Sequence, residues 1–323
     1  MPKPTLLLTR RFPDAVEARA QRDYVTMPNP SDKPMDGLAL AAAAARGEAR
    51  GILCAAGDAL DSGTIAALPD SVKIIATFSV GTDHIDLGAA RERGIIVTNT
   101  PDVLSVATAE IAMLLILTAA RRGGEAERML RAREWTGWAP TQLMGVTLEN
   151  KALGILGMGR IGQALAQMAR GFGMQIHYRN RNRLPPAEEA GATYHDNDTD
   201  FLGAIDVLSM HIPGGAATRH WLDARRIAQL RKGAIVVNTG RGTTVDDTAL
   251  CAALQGGHLR AAGLDVFAGE PNIFEGYHST PNLVLLPHLG SATVETRDAM
   301  GFRCLDNLDA VLIRGEAPLH PAG

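Results

Sequence analysis

The stretch that most restricts this chain's fold runs from Lys151 to Asn182, KALGILGMGRIGQALAQMARGFGMQIHYRNRN. It begins with a short apolar run, Ala152 to Leu156, of a length suited to a buried strand. A glycine-rich turn follows at once, Gly157-Met158-Gly159-Arg160-Ile161-Gly162. Gln163 to Arg170 then reads as a helix, Gly171 to Gly173 ends it, and Met174 to Tyr178 reads as a second strand. Strand, GxGxxG turn and helix in one βαβ unit form the dinucleotide-binding fingerprint. Gly157 permits the tight turn, Gly159 lets the backbone approach a pyrophosphate, and Gly162 lets the helix pack on the strand. The helix N-terminus offers unpaired N–H groups and its positive dipole end to the phosphates.

With 323 residues the chain has material for two domains, each with its own core. Lys and Arg number 32 against 35 Asp and Glu, a formal charge of −3, so no basic surplus points to nucleic acid or an anionic membrane surface. The longest apolar run, Ile111 to Leu117, is too short to cross a bilayer. The amino-terminal MPKPTLLLTRR lacks the pattern of a signal peptide. Cys54, Cys251 and Cys304 are scattered, form no CxxC and no metal spacing, and suit a reducing cytoplasm. The expectation is a cytoplasmic protein without a structural metal.

Residues 5 to 99 alternate strands with helices. The strands are expected at Thr5–Leu8, Tyr24–Thr26, Gly51–Cys54, Lys73–Phe78 and Ile95–Asn99, with helices near Pro13–Gln21, Asp36–Gly47, Asp58–Ala67 and Asp86–Arg93. That repetition predicts a parallel, doubly wound sheet. Pro101-Asp102 opens a long apolar helix to about Arg122, which Gly123-Gly124 breaks; the residues from 125 to 150 are less regular and carry Trp135, Trp138 and Pro140. A second α/β unit follows, with strands expected at Ala152–Leu156, Gln175–Tyr178, Val207–His211, Ala234–Asn238, Gly263–Phe267 and Leu283–Leu286, the six of a full dinucleotide-binding sheet. A last helix, Ala292 to Ile313, closes the chain.

In open parallel sheets, ligands bind beyond the carboxyl ends of the strands. Three polar residues follow strands of the second unit there: Arg241, Glu270 and His288. The trio suits hydride transfer to a 2-keto acid. Arg241 can hold the substrate carboxylate in a two-pronged contact and stabilise charge on the carbonyl oxygen. His288 can donate the proton near neutral pH. Glu270 would favour the imidazolium and orient the ring.

GMGRIG, VNTGRG (Val237 to Gly242), GLDVFAGEP (Gly263 to Pro271) and LPHLGSAT (Leu286 to Thr293), with FSVGTDHID (Phe78 to Asp86) and VTNTPDVLSVATAE (Val97 to Glu110), resemble the signatures of the D-isomer-specific 2-hydroxyacid dehydrogenase family. The resemblance covers most of the chain. It implies an α/β protein of two doubly wound parallel-sheet domains, a flavodoxin-like substrate domain and a Rossmann dinucleotide-binding domain, with a cleft between them. Residues 1–100 plus 291–323 would form the first, and 101–290 the second, including a dimerisation arm at about 123–150. Arg241, Glu270 and His288 match the family's catalytic triad. Val80 and Gly81 match the loop whose N–H groups hold the substrate carboxylate, and Asp265 matches a residue that contacts the nicotinamide amide. The cofactor is further expected against Gly157, Gly159, Arg160, Ile161, Gly162, His211, Pro213, Thr239 and Gly290. Members are commonly homodimers.

Within the family, REWTGWAP (Arg133 to Pro140) and the arginines after the second strand of the nucleotide unit resemble glyoxylate/hydroxypyruvate reductases. In such enzymes a tryptophan of the arm reaches the neighbouring subunit's site. Trp138 is the candidate, and packing within the interface accounts for it equally well. NAD enzymes place Asp or Glu about 20 residues beyond the glycine turn, on the ribose 2′-OH. Here that window reads Tyr178-Arg179-Asn180-Arg181-Asn182-Arg183, without an acid. Asn180 and Arg181 can donate to a 2′-phosphate, Arg179 can lie against the adenine, and Arg183 can add longer-range attraction. NADPH is therefore expected over NADH. Two other readings stay open: a dehydrogenase of another D-2-hydroxy acid, such as phosphoglycerate or a sugar acid, and a nucleotide-sensing binding module such as a corepressor.

Overall fold

The computed structural model describes residues 2–322. The chain divides into two compact units, Met1–Leu104 with Ala292–Gly323, and Ser105–Ser291.

The first unit alternates β1 (Thr5–Leu8), α1 (Asp14–Asp23), β2 (Val25–Met27), α2 (Gly37–Arg46), β3 (Gly51–Cys54), α3 (Ser62–Ala67), β4 (Ile74–Thr77), α4 (Leu87–Glu92) and β5 (Ile96–Thr98). The strands pair in parallel in the order β2-β1-β3-β4-β5, the flavodoxin-like arrangement. Aspartates start three of its helices: the carboxylates of Asp36, Asp61 and Asp86 accept the N–H groups of Ala39, Thr64 and Ala89. Both faces of the sheet are buried, so its strands read as continuous apolar runs. Leu6 and Leu8 pack on one face with Val16 and Ala20, while Leu7 packs on the other with Leu40 and Ile65.

The second unit opens with α5 (Ser105–Ala120) and α6 (Gly123–Arg131). Then come β6 (Ala152–Leu156), α7 (Arg160–Gly171), β7 (Gln175–Arg179), α8 (Pro186–Glu189), β8 (Thr193–Tyr194), α9 (Asp198–Ala204) and β9 (Val207–Met210). α10 (Ala224–Gln229), β10 (Ala234–Asn238), α11 (Asp247–Gln255), β11 (Leu259–Leu264) and β12 (Leu283–Leu285) complete it. The parallel order is β12-β11-β10-β9-β6-β7-β8. α5 is apolar nearly all round and lies on the sheet; a Cβ at Gly263 would stand 2.9 Å from the Leu115 Cβ, so glycine is what lets helix and strand approach. The chain then returns to the first unit as α12 (Val294–Asp309), tied to α1 by Arg19, which pairs with Asp306 at 2.7 Å and Asp309 at 2.6 Å.

Three sequence expectations shift. The sheet has seven strands rather than six, because a two-residue edge strand, Thr193–Tyr194, adds to β7. β11 runs over Leu259–Leu264 rather than Gly263–Phe267. Gly257, at φ +68, turns the chain out of α11 early, and at Asp265 the N–H still donates to Asn238 O at 3.0 Å while the carboxylate serves a neighbouring loop. The long helix is broken at Arg122, not at the glycines: Arg122 sits at φ 53, its guanidinium held by Glu125 at 2.8 and 2.7 Å, and Gly123-Gly124 become the first turn of α6. Among the described residues no helix is long and apolar enough to cross a membrane.

Candidate active site

The glycine turn joins β6 to α7. Gly157 has φ +91, where a side chain is strained, and a Cβ there would meet the His211 backbone at 3.1 Å. A Cβ at Gly162 would stand 2.6 Å from the Gly157 carbonyl oxygen and 2.9 Å from Ile155, so glycine is required for α7 to lie on β6. At Gly159, by contrast, a Cβ would meet nothing within 4 Å. That open space over the start of a twelve-residue helix is a cradle that fits a pyrophosphate. One feature of the turn was not visible in the sequence: Asn180 Oδ1 accepts the Met158 N–H at 2.6 Å and so holds the turn from the end of β7.

Arg241, Glu270 and His288 come from the loops after β10, β11 and β12, at one edge of one sheet. Asn238, fully buried at the end of β10, shapes the first loop: its Nδ2 donates to Arg241 O at 2.9 Å and its Oδ1 accepts from Gly240 N at 2.9 Å. Gly242 then lets this loop lie directly on the next, since a Cβ there would be only 1.9 Å from the Phe267 carbonyl carbon. Glu270 turns back to accept the Phe267 N–H at 2.8 Å and meets His288 Nδ1 at 2.7 Å through its other oxygen. His288 stands at φ 55, its N–H donating to Asp265 O and Leu286 O.

Hydrogen bonding to the Glu270 carboxylate raises the His288 pKa above its ordinary 6.5; burial and the Arg241 charge oppose this and are outweighed. Burial works against the Glu270 carboxylate, but the hydrogen bonds from His288 and the Phe267 N–H, with the charges of His288 and Arg241, hold its pKa below the usual value. With Nδ1 committed to Glu270, Nε2 is the nitrogen free to serve a substrate, on a side chain 48% exposed. The arrangement is an oriented imidazole whose protonated form is favoured by Glu270, within the field of a guanidinium, and it is suited to giving a proton to an oxygen that gains charge.

Asp265, expected at the nicotinamide amide, is buried; its two oxygens accept the N–H groups of Leu289 (2.7 Å) and Gly290 (2.8 Å). It thereby fixes the loop that carries His288. Desolvation raises its pKa, against those two bonds. His211 joins Ser209 Oγ at 2.9 Å and Thr239 Oγ1 at 3.1 Å, and burial pulls its pKa down to about 4, so it is neutral at pH 7. Gly290 is packed against Asp265 and Thr108, and its carbonyl accepts the Thr108 hydroxyl at 3.1 Å. Pro213 lies two residues beyond His211 in the same loop after β9, its carbonyl accepting the Thr218 hydroxyl at 2.7 Å.

Arg179, the last residue of β7, and Arg181 and Arg183 beyond it differ in their surroundings. Arg179 donates to Asp198 at 3.2 Å, and Arg183 pairs with Glu189 at 2.7 and 3.1 Å. Arg181 is exposed, and among the described residues its side chain has no hydrogen-bond or ion-pair partner. In the first unit, Asn99 Nδ2 donates to Val80 O at 2.8 Å and Ser79 Oγ to Gly81 O at 2.7 Å; among the described residues no acceptor meets the N–H groups of Val80 or Gly81. The stretch after α6 is irregular and open: Trp138 is 81% exposed, and Trp135 donates to Gln142 at 3.2 Å.

The profile described as "D-isomer specific 2-hydroxyacid dehydrogenase, NAD binding domain" matches residues 113–290. The chain is 44% identical over 313 residues to glycerate dehydrogenase of Hyphomicrobium methylovorum, covering 96% of this chain and 97% of that one. It is 41% identical to glyoxylate reductase of Aeropyrum pernix, covering 98% and 95%. Among solved structures it is similar to the NADPH-dependent glyoxylate/hydroxypyruvate reductase of Sinorhizobium meliloti in complex with NADP and malonate: TM-score 0.88, 37% identity, 99% and 97% of the two chains covered.

Proposed function

Because the chain belongs to the D-isomer-specific 2-hydroxyacid dehydrogenase family, we propose that it reduces small 2-keto acids, glyoxylate and hydroxypyruvate foremost, to D-2-hydroxy acids with NADPH as the preferred reductant. The observation that carries the reading is the His288–Glu270 pair at 2.7 Å, on the sheet edge that also bears Arg241 and the glycine turn. When bound, the reduced nicotinamide supplies the hydride to the carbonyl carbon. Gly157, Gly159, Arg160, Ile161 and Gly162 would hold its pyrophosphate, with His211, Pro213, Thr239 and Gly290 along the rest of the same edge. Arg241 takes the substrate carboxylate, a role the family resemblance also gives to the N–H groups of Val80 and Gly81 in the first unit. His288 Nε2 gives the proton to the carbonyl oxygen, and Glu270 keeps the ring protonated and oriented.

Support for NADPH comes from the missing acid after β7 and the unpartnered Arg181, and from the relative of Sinorhizobium meliloti, an NADPH-dependent enzyme bound to NADP. The exposed Leu130, Trp135, Trp138 and Met144 supply apolar surface for a homodimer built through the arm. The decisive experiment is a steady-state assay of glyoxylate, hydroxypyruvate, pyruvate and 2-ketogluconate with NADPH and with NADH. Absence of reduction across that panel with retained cofactor binding would overturn the enzymatic reading in favour of a nucleotide-sensing module. Near-normal glyoxylate reduction by His288→Ala would remove His288 from the mechanism.

A further inference from the structure

Three arginines, Arg179 at the end of β7 and Arg181 and Arg183 in the turn after it, stand close in sequence, and the acids around them determine which can act. Glu189 closes α8 with its side chain 9% exposed. Its Oε1 receives the Tyr178 hydroxyl at 2.5 Å and Arg183 Nε at 2.7 Å, and its Oε2 receives Arg183 Nη2 at 3.1 Å. Tyr178 is fully buried in β7, and its oxygen in turn accepts the Leu184 N–H at 3.0 Å. Strand, turn and helix are thus locked together around one carboxylate, and Arg183 is drawn back onto it in a two-pronged pair. The Arg183 side chain nevertheless remains 64% exposed; besides the charge pairing with Glu189, its guanidinium lies 5.8 Å from the Tyr194 ring centroid. Arg179 is likewise occupied by Asp198, whose other oxygen takes Arg226 at 3.1 Å.

We propose that Glu189 is a specificity-determining residue that holds Arg183 away from the 2′-phosphate of the cofactor, leaving Arg181 as the one guanidinium of the turn offered to it. The inference rests on the NADPH reading above and deepens it. A second charged fork on the phosphate would tighten the reduced and the oxidised cofactor alike and slow product release. Glu189 therefore sets a moderate phosphate affinity by sequestration. Glu189→Gln is close to isosteric and keeps an oxygen for the Tyr178 hydroxyl, but it removes the charge that retains Arg183, which can then reach a dianionic phosphate.

The test is a double-mutant cycle, reading the dissociation constants of NADPH and NADH by fluorescence titration for the wild type, Arg183→Ala, Glu189→Gln and the double variant. The expected result is that Glu189→Gln tightens NADPH by roughly five- to tenfold, the order of one partly exposed charge-assisted contact, while NADH changes little. Arg183→Ala should then cost several-fold more NADPH affinity in the Glu189→Gln background than in the wild type. Arg183 is on the surface, so its variant keeps the test open if Glu189→Gln folds poorly. A several-fold loss of NADPH affinity for Arg183→Ala in the wild type would overturn the proposal, since Arg183 would already be on the phosphate. Equal weakening of both cofactors by Glu189→Gln, or no change in either, would overturn it as well. If Arg181→Ala leaves the NADPH/NADH ratio of the wild type untouched, the NADPH reading itself has failed. If Arg181→Ala erodes that ratio and Glu189→Gln does not raise it, only the sequestration by Glu189 is lost.

Discussion

Gly242→Ala tests whether the loops of the candidate active site are held by direct contact of their backbones. A Cβ at Gly242 would lie 1.9 Å from the Phe267 carbonyl carbon, 2.2 Å from Ala268 N and 2.3 Å from Phe267 Cα. All three are backbone atoms, so no side chain can rotate aside. Ordinary contact begins near 3.4 Å, and the loops carrying Arg241 and Glu270 must therefore part by about 1.5 Å. Part of that movement passes to Glu270, whose Oε1 is anchored on the Phe267 N–H, and through Glu270 to His288. Overpacking of this kind costs about 1–3 kcal/mol of stability. Misplacing a reacting group by about 1 Å costs on the order of 100-fold in rate. The expected outcome is a folded protein with a lowered Tm, cofactor binding largely retained, and kcat for glyoxylate reduction down by about two orders of magnitude. Circular dichroism melting, cofactor titration and steady-state kinetics on one preparation separate the terms. A Gly242→Ala protein with kcat within about threefold of wild type would refute the reasoning, because triad geometry would then not depend on this contact.

Since pairing with Glu270 raises the His288 pKa, reduction should persist above pH 6.5 and decline as pH climbs through that raised value; Glu270→Gln removes the leading cause and should move the decline of kcat/KM to lower pH, and a limb that stays put or moves upward would contradict the pairing. Arg181→Ala should erode the preference for NADPH by roughly tenfold, mainly through KM for NADPH, and an unchanged ratio in steady-state kinetics would remove Arg181 from the phosphate site. Asn180→Asp keeps the acceptor for the Met158 N–H at 2.6 Å and so keeps the glycine turn in place, but it adds a charge that repels a 2′-phosphate; NADPH should weaken while NADH holds or improves, and equal loss of both would show that the turn itself had moved. Trp138→Ala should change the ratio of kcat/KM for glyoxylate and hydroxypyruvate in a protein that sedimentation shows still dimeric; an unchanged ratio, or activity lost only as monomers appear, assigns Trp138 to packing.

The sequence placed most strands within a residue or two, because apolar runs buried on both sheet faces leave no ambiguity where Leu6–Leu8, Ile52–Leu53 and Ile74–Ala76 are concerned. The strand that slipped is instructive. The run Leu259–Phe267 is apolar and small nearly throughout, so composition does not say where pairing stops. Past Leu264, among the described residues, only the Asp265 N–H still reaches β10, at Asn238 O, and its carboxylate bonds to a loop 24 and 25 residues downstream, at Leu289 and Gly290. No local pattern carries that information. Glu270 stayed in the correct loop regardless, since a strand ending earlier only lengthens the loop that follows. The break after α5 misled for a related reason: Gly123-Gly124 looks like the stop, while the left-handed residue is Arg122, held by an ion pair with Glu125.

Beneath the candidate catalytic residues lies a second set of polar groups whose holding role the sequence does not mark out. Asn180 bonds Met158 in the glycine turn, Asn238 bonds both Gly240 and Arg241, and Asp265 bonds Leu289 and Gly290 beside His288. Each lies at or just beyond the end of a strand, and each ties down one chemistry-bearing loop of the same sheet edge. The sequence shows that these residues carry oxygens and amides; it does not show where their lone pairs and N–H groups point, because the partners are 22, 2, 3, 24 and 25 residues away. The physical reason for such ties is general: a site that stabilises developing charge works only if its donors are already in position, and loops without ladder bonds need other anchors to stay there. Asn238 and Asp265 are fully buried, where an unmade hydrogen bond is expensive, so each loop is held by a cost that only its own conformation avoids. The buried end-of-strand groups thus hold the loops that carry Arg241, Glu270 and His288 at one sheet edge, whichever residues those loops expose.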